Sequence, residues 1–477
     1  MQPQATTTNT TGRAAQHRGG TVSMSCKLRP GRSMSVWRLF APGELPVFRT
    51  AAIAVCVTVA VALGGGRCRM ARAGEPLPDQ PQAAAKANPA ARYAGTSNVA
   101  ADREAAQDQM LLPVDGPPLR AELRSVDKQW QLEFAGQQGG KTINAADIIQ
   151  WGRPAEPAAG PLMVLADGSL IVAEPLGVEN EALRFDSAVF GQQSLPLEVL
   201  AAVAFKTPVD RLQRDLFVDR LLGASLRSDL LILANGDELS GVLQSLSEQA
   251  VEFRAEFGPL KLDRARLAAI ILNPTLRRTI KRPSLCAVVG FADGTRVLAG
   301  SMELKDQRAQ VALVAGAAFA AEAKQLVCLV PLGGRAVYLS ELEPLEFEHT
   351  PFLDLKWPYR KDRNVLGGML RSGGQLYLKG LGVHSAARLV YALERPYQRF
   401  QTELALDDCA GRQGSVVYRI LLDGKQKYVS PVLRGGDQPL SVSVPLEGAK
   451  RLELVVDYAD RADVLDRANW LRARLIK

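Results

Sequence analysis

The side chains best able to bind or react crowd into the last quarter of the chain. His384 stands in the run Gly380-Leu381-Gly382-Val383-His384-Ser385, Asp407 and Asp408 are adjacent, and Asp466 shortly precedes Trp470. An imidazole can ligate a metal, contact a ligand, or brace a strand start. The only other histidines are His17 and His349, and no partner for proton transfer is visible, so the bracing role comes first. Asp407 and Asp408 offer the hard oxygens that calcium takes, or acceptors for sugar hydroxyls. Equally, they finish a strand and satisfy loop amides, as Asp does in turns. Asp466 poses the same choice. Trp470 and Tyr458 carry rings that could lie on the apolar face of a pyranose, but tryptophan in an alternating strand more often belongs to a core. Trp357, Tyr359 and Tyr377 are further aromatic candidates.

Signatures of catalysis are missing. The sequence has no G-x-S-x-G, no H-E-x-x-H, no P-loop, and no G-x-G-x-x-G after a strand. Cys26, Cys56, Cys68, Cys286, Cys328 and Cys409 form no C-x-x-C pair, which argues against a zinc or redox centre. Cys286 and Cys328 fall in one expected domain, as a disulfide or as two buried thiols. Glycosidase carboxylates are paired in space rather than in sequence, but the chain leaves no room for a large catalytic barrel. The expectation is a protein that is not an enzyme.

These residues need strands to position them. Phe400, Thr402, Leu404 and Leu406 alternate with polar neighbours, as do Val416, Tyr418, Ile420 and Leu422. Leu440, Val442 and Val444 alternate too, then Leu452, Leu454 and Val456, and finally Leu471, Ala473 and Leu475 against Trp470, Arg472 and Arg474. Period two over short runs marks half-buried strands. Asp423-Gly424 between two of them predicts a tight hairpin, and the set predicts a β-sandwich.

The order Gly-Leu-Gly-Val-His-Ser, Asp-Asp, Asp-Gly-Lys, Leu-Arg-Gly-Gly-Asp and a closing Asp466-Arg467-Ala468-Asn469-Trp470 resembles the NPCBM family of carbohydrate-binding modules. Asp362-Arg363-Asn364-Val365 and Gly368 resemble its entry strand. The resemblance covers about a quarter of the chain. It implies a jelly-roll sandwich of the galactose-binding type and carbohydrate as partner. The candidate binding residues are then Asp407, Asp408, Asp466, Asn469, Trp470 and His384, with Asp407 and Asp408 as candidate ligands of a structural calcium. The family usually closes Asp-His-Ala-Asp-Trp. Arg467 and Asn469 depart from it, so any ligand or cation contact made there has changed.

Residues 1–49 are basic and without periodicity. Residues 50–73 hold the apolar run from Ala51 to Leu63 and read as a signal-peptide core with its cleavage region, or as an N-terminal membrane anchor. Either exports the rest, to the periplasm, the cell envelope or the medium. Residues 74–110 are rich in Ala, Pro and Gln and read as a disordered linker. Three openings then repeat: an apolar strand, Asp167-Gly168, Asn235-Gly236 or Asp293-Gly294, and a second strand. The closes are Val199–Phe205, Leu267–Leu272 and Leu326–Leu332, and Leu119 to Trp151 is a weaker fourth copy. Small five-stranded barrels fit, similar to the Sm-like barrel, over 111–225, 226–280 and 281–345, with the sandwich over 346–477. One helix interrupts them: Thr207 caps it, Pro208 and Asp210 complete its first turn, Gly223 follows its end, and Val209, Leu212, Leu216 and Leu221 share a face.

The net charge of +8 would suit nucleic acid, but much of the excess lies in the first fifty residues, and no basic stripe is interleaved with aromatics. Arg277, Arg278, Lys281 and Arg282 read as a solvated linker. The expected protein is all-β: tandem small barrels and a sandwich, exported, binding carbohydrate without catalysis. Its rivals are an envelope scaffold whose barrels bind protein or peptide, and an accessory partner of a glycoside hydrolase.

Overall fold

The computed structural model describes residues 109–135 and 140–477. The basic segment, the export segment and all but the end of the linker lie outside the described residues.

One unit recurs four times before the sandwich. In its clearest copy, Asp229–Leu233 pairs with Glu238–Leu246, then Ala250–Ala255, then Gly258–Asp263. A turn of 3-10 helix, Arg264–Arg266, leads to Leu267–Ile271, which returns to pair with the opening strand. The copies opening at Met110–Pro113, Leu162–Leu165 and Cys286–Phe291 close in the same way, on Ile148–Gly152, Leu200–Ala204 and Leu326–Leu332. The segment from Leu119 to Trp151 is therefore a full copy once Met110–Pro113 joins it. Asp167-Gly168, Asn235-Gly236 and Asp293-Gly294 do turn the chain, but only their glycines take positive φ, at 86°, 92° and 88°. Asp423-Gly424 is the primed turn, with φ of 47° and 77°.

The closing strands run apolar without alternation because both of their faces are covered: Leu200 and Val203 pack on one side and Ala201, Ala202 and Ala204 on the other, as Leu326 and Leu329 do against Cys328, Val330 and Leu332. Their free edges pair across units, Leu200–Ala204 with Leu267–Ile271 of the next and Leu326–Leu332 with Ile148–Gly152 of the first. The second and fourth units also interlock at their turns: Ser169 Oγ accepts from the Leu298 amide at 2.8 Å, and Thr295 Oγ1 from the Val172 amide at 2.9 Å. Of the basic run, Arg278, Lys281 and Arg282 are exposed, but Arg277 and Arg278 also tie the segment down by donating to carbonyls of Ala201, Leu272 and Ala315. Cys286 stands opposite Leu332 and Cys328 opposite Gly290. Four residues of ladder, about 13 Å, separate the two thiols, so both are free and buried.

The helix runs Arg211–Gly223. Its cap is Asp210, which accepts from the Gln213 amide at 2.9 Å, whereas the Thr207 hydroxyl bonds Gly160. Gly223 is its last residue, and Val209 precedes it at 84% exposure. Leu221 joins the apolar layer beside the second and third units. Leu212 and Leu216 instead meet the sandwich, where a Cβ on Gly368 would lie 2.9 Å from Leu212 and one on Gly367 2.8 Å from Leu216.

The sandwich has two antiparallel sheets. One runs Arg360–Lys361, Gly380–His384, Arg467–Ile476, Arg399–Leu406 and Leu440–Pro445; the other runs Glu346–His349, Ala387–Ala392, Arg451–Tyr458, Ser415–Leu422 and Lys425–Val429. Ala336–Tyr338 pairs with Arg467–Ile476 and so belongs to the sandwich, not to the last barrel. The final strand does not alternate throughout. Its register against Arg399–Leu406 shifts between Gln401 and Glu403, and Arg472 takes a φ of 47°. This bulge keeps Ala468, Trp470, Ala473 and Leu475 all in the core, which a strict period of two could not do.

Buried arginines join sandwich and repeats. Arg371 grips Glu156 at 2.5 and 2.9 Å and Asp215 at 2.6 Å. Arg472 reaches Gln150 at 2.9 Å and Glu403 at 2.7 Å. Burial alone would raise the Glu156 carboxyl, yet Arg371 holds it below its ordinary value. Arg371→Ala strands two carboxylates and is expected to cost about 3–5 kcal/mol in urea denaturation of the whole chain. A loss of well under 1 kcal/mol would show that this contact does not couple the two parts.

Candidate functional site

The adjacent carboxylates Asp407 and Asp408 part company, one inside the sandwich and one at its surface. Asp407 is buried, and its Oδ1 accepts from Asn364 Nδ2 and the Cys409 amide, both at 3.1 Å. Its Oδ2 accepts from the Arg371 amide at 3.1 Å and Asn469 Nδ2 at 2.8 Å. A carboxylate has about four lone-pair positions, and these donors take them. Asp408 is exposed and accepts from the Gly373 and Gly374 amides, each at 2.8 Å. Asp407, enclosed by four N–H donors, has no lone pair left for a cation, whereas Asp408 keeps two. Among the described residues no group of three or more His, Cys, Asp or Glu is placed to hold a metal.

Asn469 and Trp470 are also interior. Asn469 spends its amide on Asp407. Trp470 is fully buried, edge-on to Tyr418 with ring centroids 4.9 Å apart, so its ring offers no platform to a sugar. Arg467, at the other departure from the family's closing pattern, donates to the Cys409 carbonyl at 2.6 Å.

His384 and Asp466 lie near one end of the sandwich, where the structure brings them together with two of the aromatic candidates, Trp357 and Tyr458, and adds His349 and Phe352. Trp357 stacks on His384, with centroids 5.1 Å apart and planes 9° from parallel. His349 meets His384 edge-on at 6.1 Å and accepts from the Trp357 backbone amide at 3.3 Å. Phe352 (55% exposed) meets Tyr458 (48% exposed) edge-on at 6.1 Å, with Leu353, Leu355 and Val464 exposed on the same two loops. The loop after Tyr458 is strained, with Arg461, Ala462 and Leu465 all at positive φ. The Asp460 amide and carbonyl both bond the Ser415 hydroxyl, at 2.9 Å each, which anchors that loop. Sequence reasoning missed Phe352 because residues 350–358 have no periodicity and the only signal there was aromatic density, and it left His349 without a role because its neighbour Trp357 meets it through that irregular segment.

The polar groups beneath this end are unusual. Burial pushes His384 down to about 4, with Asp463 pulling the other way, so the ring is neutral at ordinary pH. Its Nδ1 is buried without a hydrogen-bond partner. Burial pushes Asp466 up to about 6, offset in part by the Ser415 amide that donates to Oδ1 at 2.8 Å; its Oδ2 is unpartnered. The arrangement is an aromatic floor over a neutral imidazole, not an acid–base pair: it can stack on a ring and accept from hydroxyls.

The comparisons with known proteins fall on this sandwich. Residues 335–476 match the NPCBM/NEW2 domain, a carbohydrate-binding module family, and the sandwich is such a domain. Over 110 residues (23% of this chain) it is 33% identical to the "Putative endo-alpha-N-acetylgalactosaminidase" of Renibacterium salmoninarum. Over 116 residues (24% of this chain) it is 29% identical to alpha-1,3-galactosidase B of Akkermansia muciniphila. The matched segments span only 7% and 14% of those proteins. A solved CBM51 module from Clostridium perfringens GH95, in complex with methyl-galactose, is 28% identical, covering 29% of this chain and 99% of its own, with a TM-score of 0.27.

Two outcomes test this geometry. Asn469→Asp sets a carboxylate against Asp407 in place of an amide donor and is expected to lower stability by about 1–3 kcal/mol in urea denaturation; an unchanged midpoint would refute the pairing. For His384, the unfolded chain takes up its proton first as pH falls from about 6.5 toward 4, so acidification destabilises by about 3 kcal/mol in that range. For Asp466 the folded chain holds its proton longer, so acidification from about 6 toward 4 stabilises by a similar amount. His384→Gln should therefore gain stability on acidification relative to the native chain, and Asp466→Asn should lose it. Parallel pH profiles for the two variants would contradict the assignment.

Proposed function

We propose that this protein binds carbohydrate without catalysing its cleavage, through the end of the C-terminal sandwich that carries Trp357, Phe352, Tyr458 and His384. The observation that carries the reading is the stack of half-exposed Trp357 on a buried, neutral His384. It fixes an indole flat beside exposed aromatics, as stacking on a pyranose requires. Asp463, which lies close enough to pull on His384, supplies an acceptor for hydroxyls. The names of both curated relatives specify galactose-configured sugars, so terminal galactose and N-acetylgalactosamine are the first ligands to try. Export, from the apolar run at residues 50–73, would place the module where such glycans occur.

The test is a glycan array with the whole chain, with calcium and with chelator. The sandwich should not be cut free for it, because Ala336–Tyr338 and the Arg371 and Arg472 contacts hold it to the repeats. Selective retention on galactosides, weakened at least tenfold by Trp357→Ala, is the expected result. No retention by the folded native chain would favour the scaffold reading instead.

A further inference from the structure

Between the second unit, the fourth unit, the helix and the sandwich lies a cavity of about 270 Å³. At about 30 Å³ per water, it has room for roughly nine waters or one monosaccharide. Arg282, Arg296, Arg363 and Lys379 line it, against Asp167 and Asp362. Three of these cations are engaged. Arg282 pairs with Glu341 at 2.9 Å, Lys379 with Asp362 at 2.9 Å, and Arg363 with Asp219 at 3.5 Å. Arg296 is half-buried, and its side chain makes no hydrogen bond or ion pair with any described residue. The carboxylates that act on it from a distance, Asp215 and Glu156, are both held by Arg371. Burial draws Arg296 down to about 10, which still leaves it cationic at neutral pH.

Arg296 turns an unpaired guanidinium into this space, where an anion could meet it with charge-assisted hydrogen bonds. The fold itself does not ask for an arginine here. Arg296 sits in register with Leu170, which holds the matching place after the Asp-Gly turn in the second unit and is buried. In the same lining, Asp167 Oδ1 accepts from the Ser169 amide at 2.9 Å, while Oδ2 is buried with no partner. Val164, Leu222, Val288 and Val330 supply apolar wall. An unpaired guanidinium, an unpaired carboxylate oxygen and apolar sides together describe a ligand with an acid group, a hydroxyl and a carbon frame.

We infer that this cavity is a second ligand site, distinct from the aromatic end of the sandwich, and that it takes a small hydroxylated organic anion such as a hexuronate, its acid group on Arg296 and a hydroxyl donating to Asp167. The inference does not depend on the proposed function.

The test uses the whole chain. Calorimetric titration and thermal unfolding are run with glucuronate and galacturonate, with neutral glucose and galactose, and with sodium sulfate, all at matched ionic strength. The native chain is expected to bind a hexuronate saturably and to be stabilised by it, and the neutral hexoses are expected to do neither at this site. Arg296→Leu restores the residue of the matching unit, so it should fold and unfold at an equal or higher temperature without ligand, and bind the hexuronate at least tenfold more weakly. Trp357→Ala should leave hexuronate binding unchanged. The inference is overturned if hexuronate acts no differently from chloride on the native chain, if Arg296→Leu binds as tightly as the native chain, or if Trp357→Ala removes the response. Response to sulfate without response to hexuronate overturns it as well, since that marks a simple anion site.

Discussion

A two-sheet sandwich buries only the faces its sheets turn to each other; the outer faces need water or a neighbour. In this chain the outer face of one sheet takes the repeats as its neighbour, and it does so with arginines. Arg472 is forced outward by the bulge in the final strand and meets Gln150 and Glu403 over the ring of Tyr377, 4.5 Å from its centroid. Arg371 bridges Glu156 and Asp215. Buried ion pairs add little net stability over apolar packing, but they are intolerant of misplacement. The bulge at Arg472 thus sets two things at once: core packing around Trp470 and the docking of the repeats. It leaves the end that carries Trp357 free.

That arrangement explains why some of the fold was legible and some was not. Period-two runs such as Val416, Tyr418, Ile420 and Leu422 are strands because alternation is local, and all four are buried. Reading Leu471, Ala473 and Leu475 as one face failed because a bulge costs a single positive φ, at Arg472, which no residue type announced. The closing strands gave apolar runs with no face to read, since both faces pack in apolar layers, and the pairing of Ile148–Gly152 with Leu326–Leu332 joins strands that the sequence keeps far apart. Ala336–Tyr338 was misassigned for a similar reason: its partner, Arg467–Ile476, is remote in sequence. The helix was legible, but its cap was shifted, because Thr207 found Gly160 before it could serve the helix.

The site divides along the same line. A motif marks residues that must be where they are, and most such residues here are structural. Asp407 organises Asn364, Arg371, Cys409 and Asn469 around four hydrogen bonds. The departure at Asn469 is coherent with that role. An aspartate there would bring two carboxylates together, which requires a cation between them or a raised pKa; the asparagine answers Asp407 directly with a donor. Arg467 likewise answers the Cys409 carbonyl in the same cluster. The change at both positions replaces whatever else met Asp407 and its turn with contacts from the chain itself.

Ligand-facing groups, by contrast, sit where the fold makes the fewest demands. Phe352 and Trp357 lie on a segment with no strand to fix its residues, and Arg296 lies where the matching unit has Leu170. In a chain of repeated units, the shared positions, such as Ser169 and Thr295 bonding each other's strands, are explained by closure of the architecture. A residue that breaks the repeat with a charge and gains no side-chain partner is not explained that way. Local sequence cannot reveal it, because Arg296 in its strand looks like any solvent-facing arginine; it becomes legible only when the helix and the sandwich close over it.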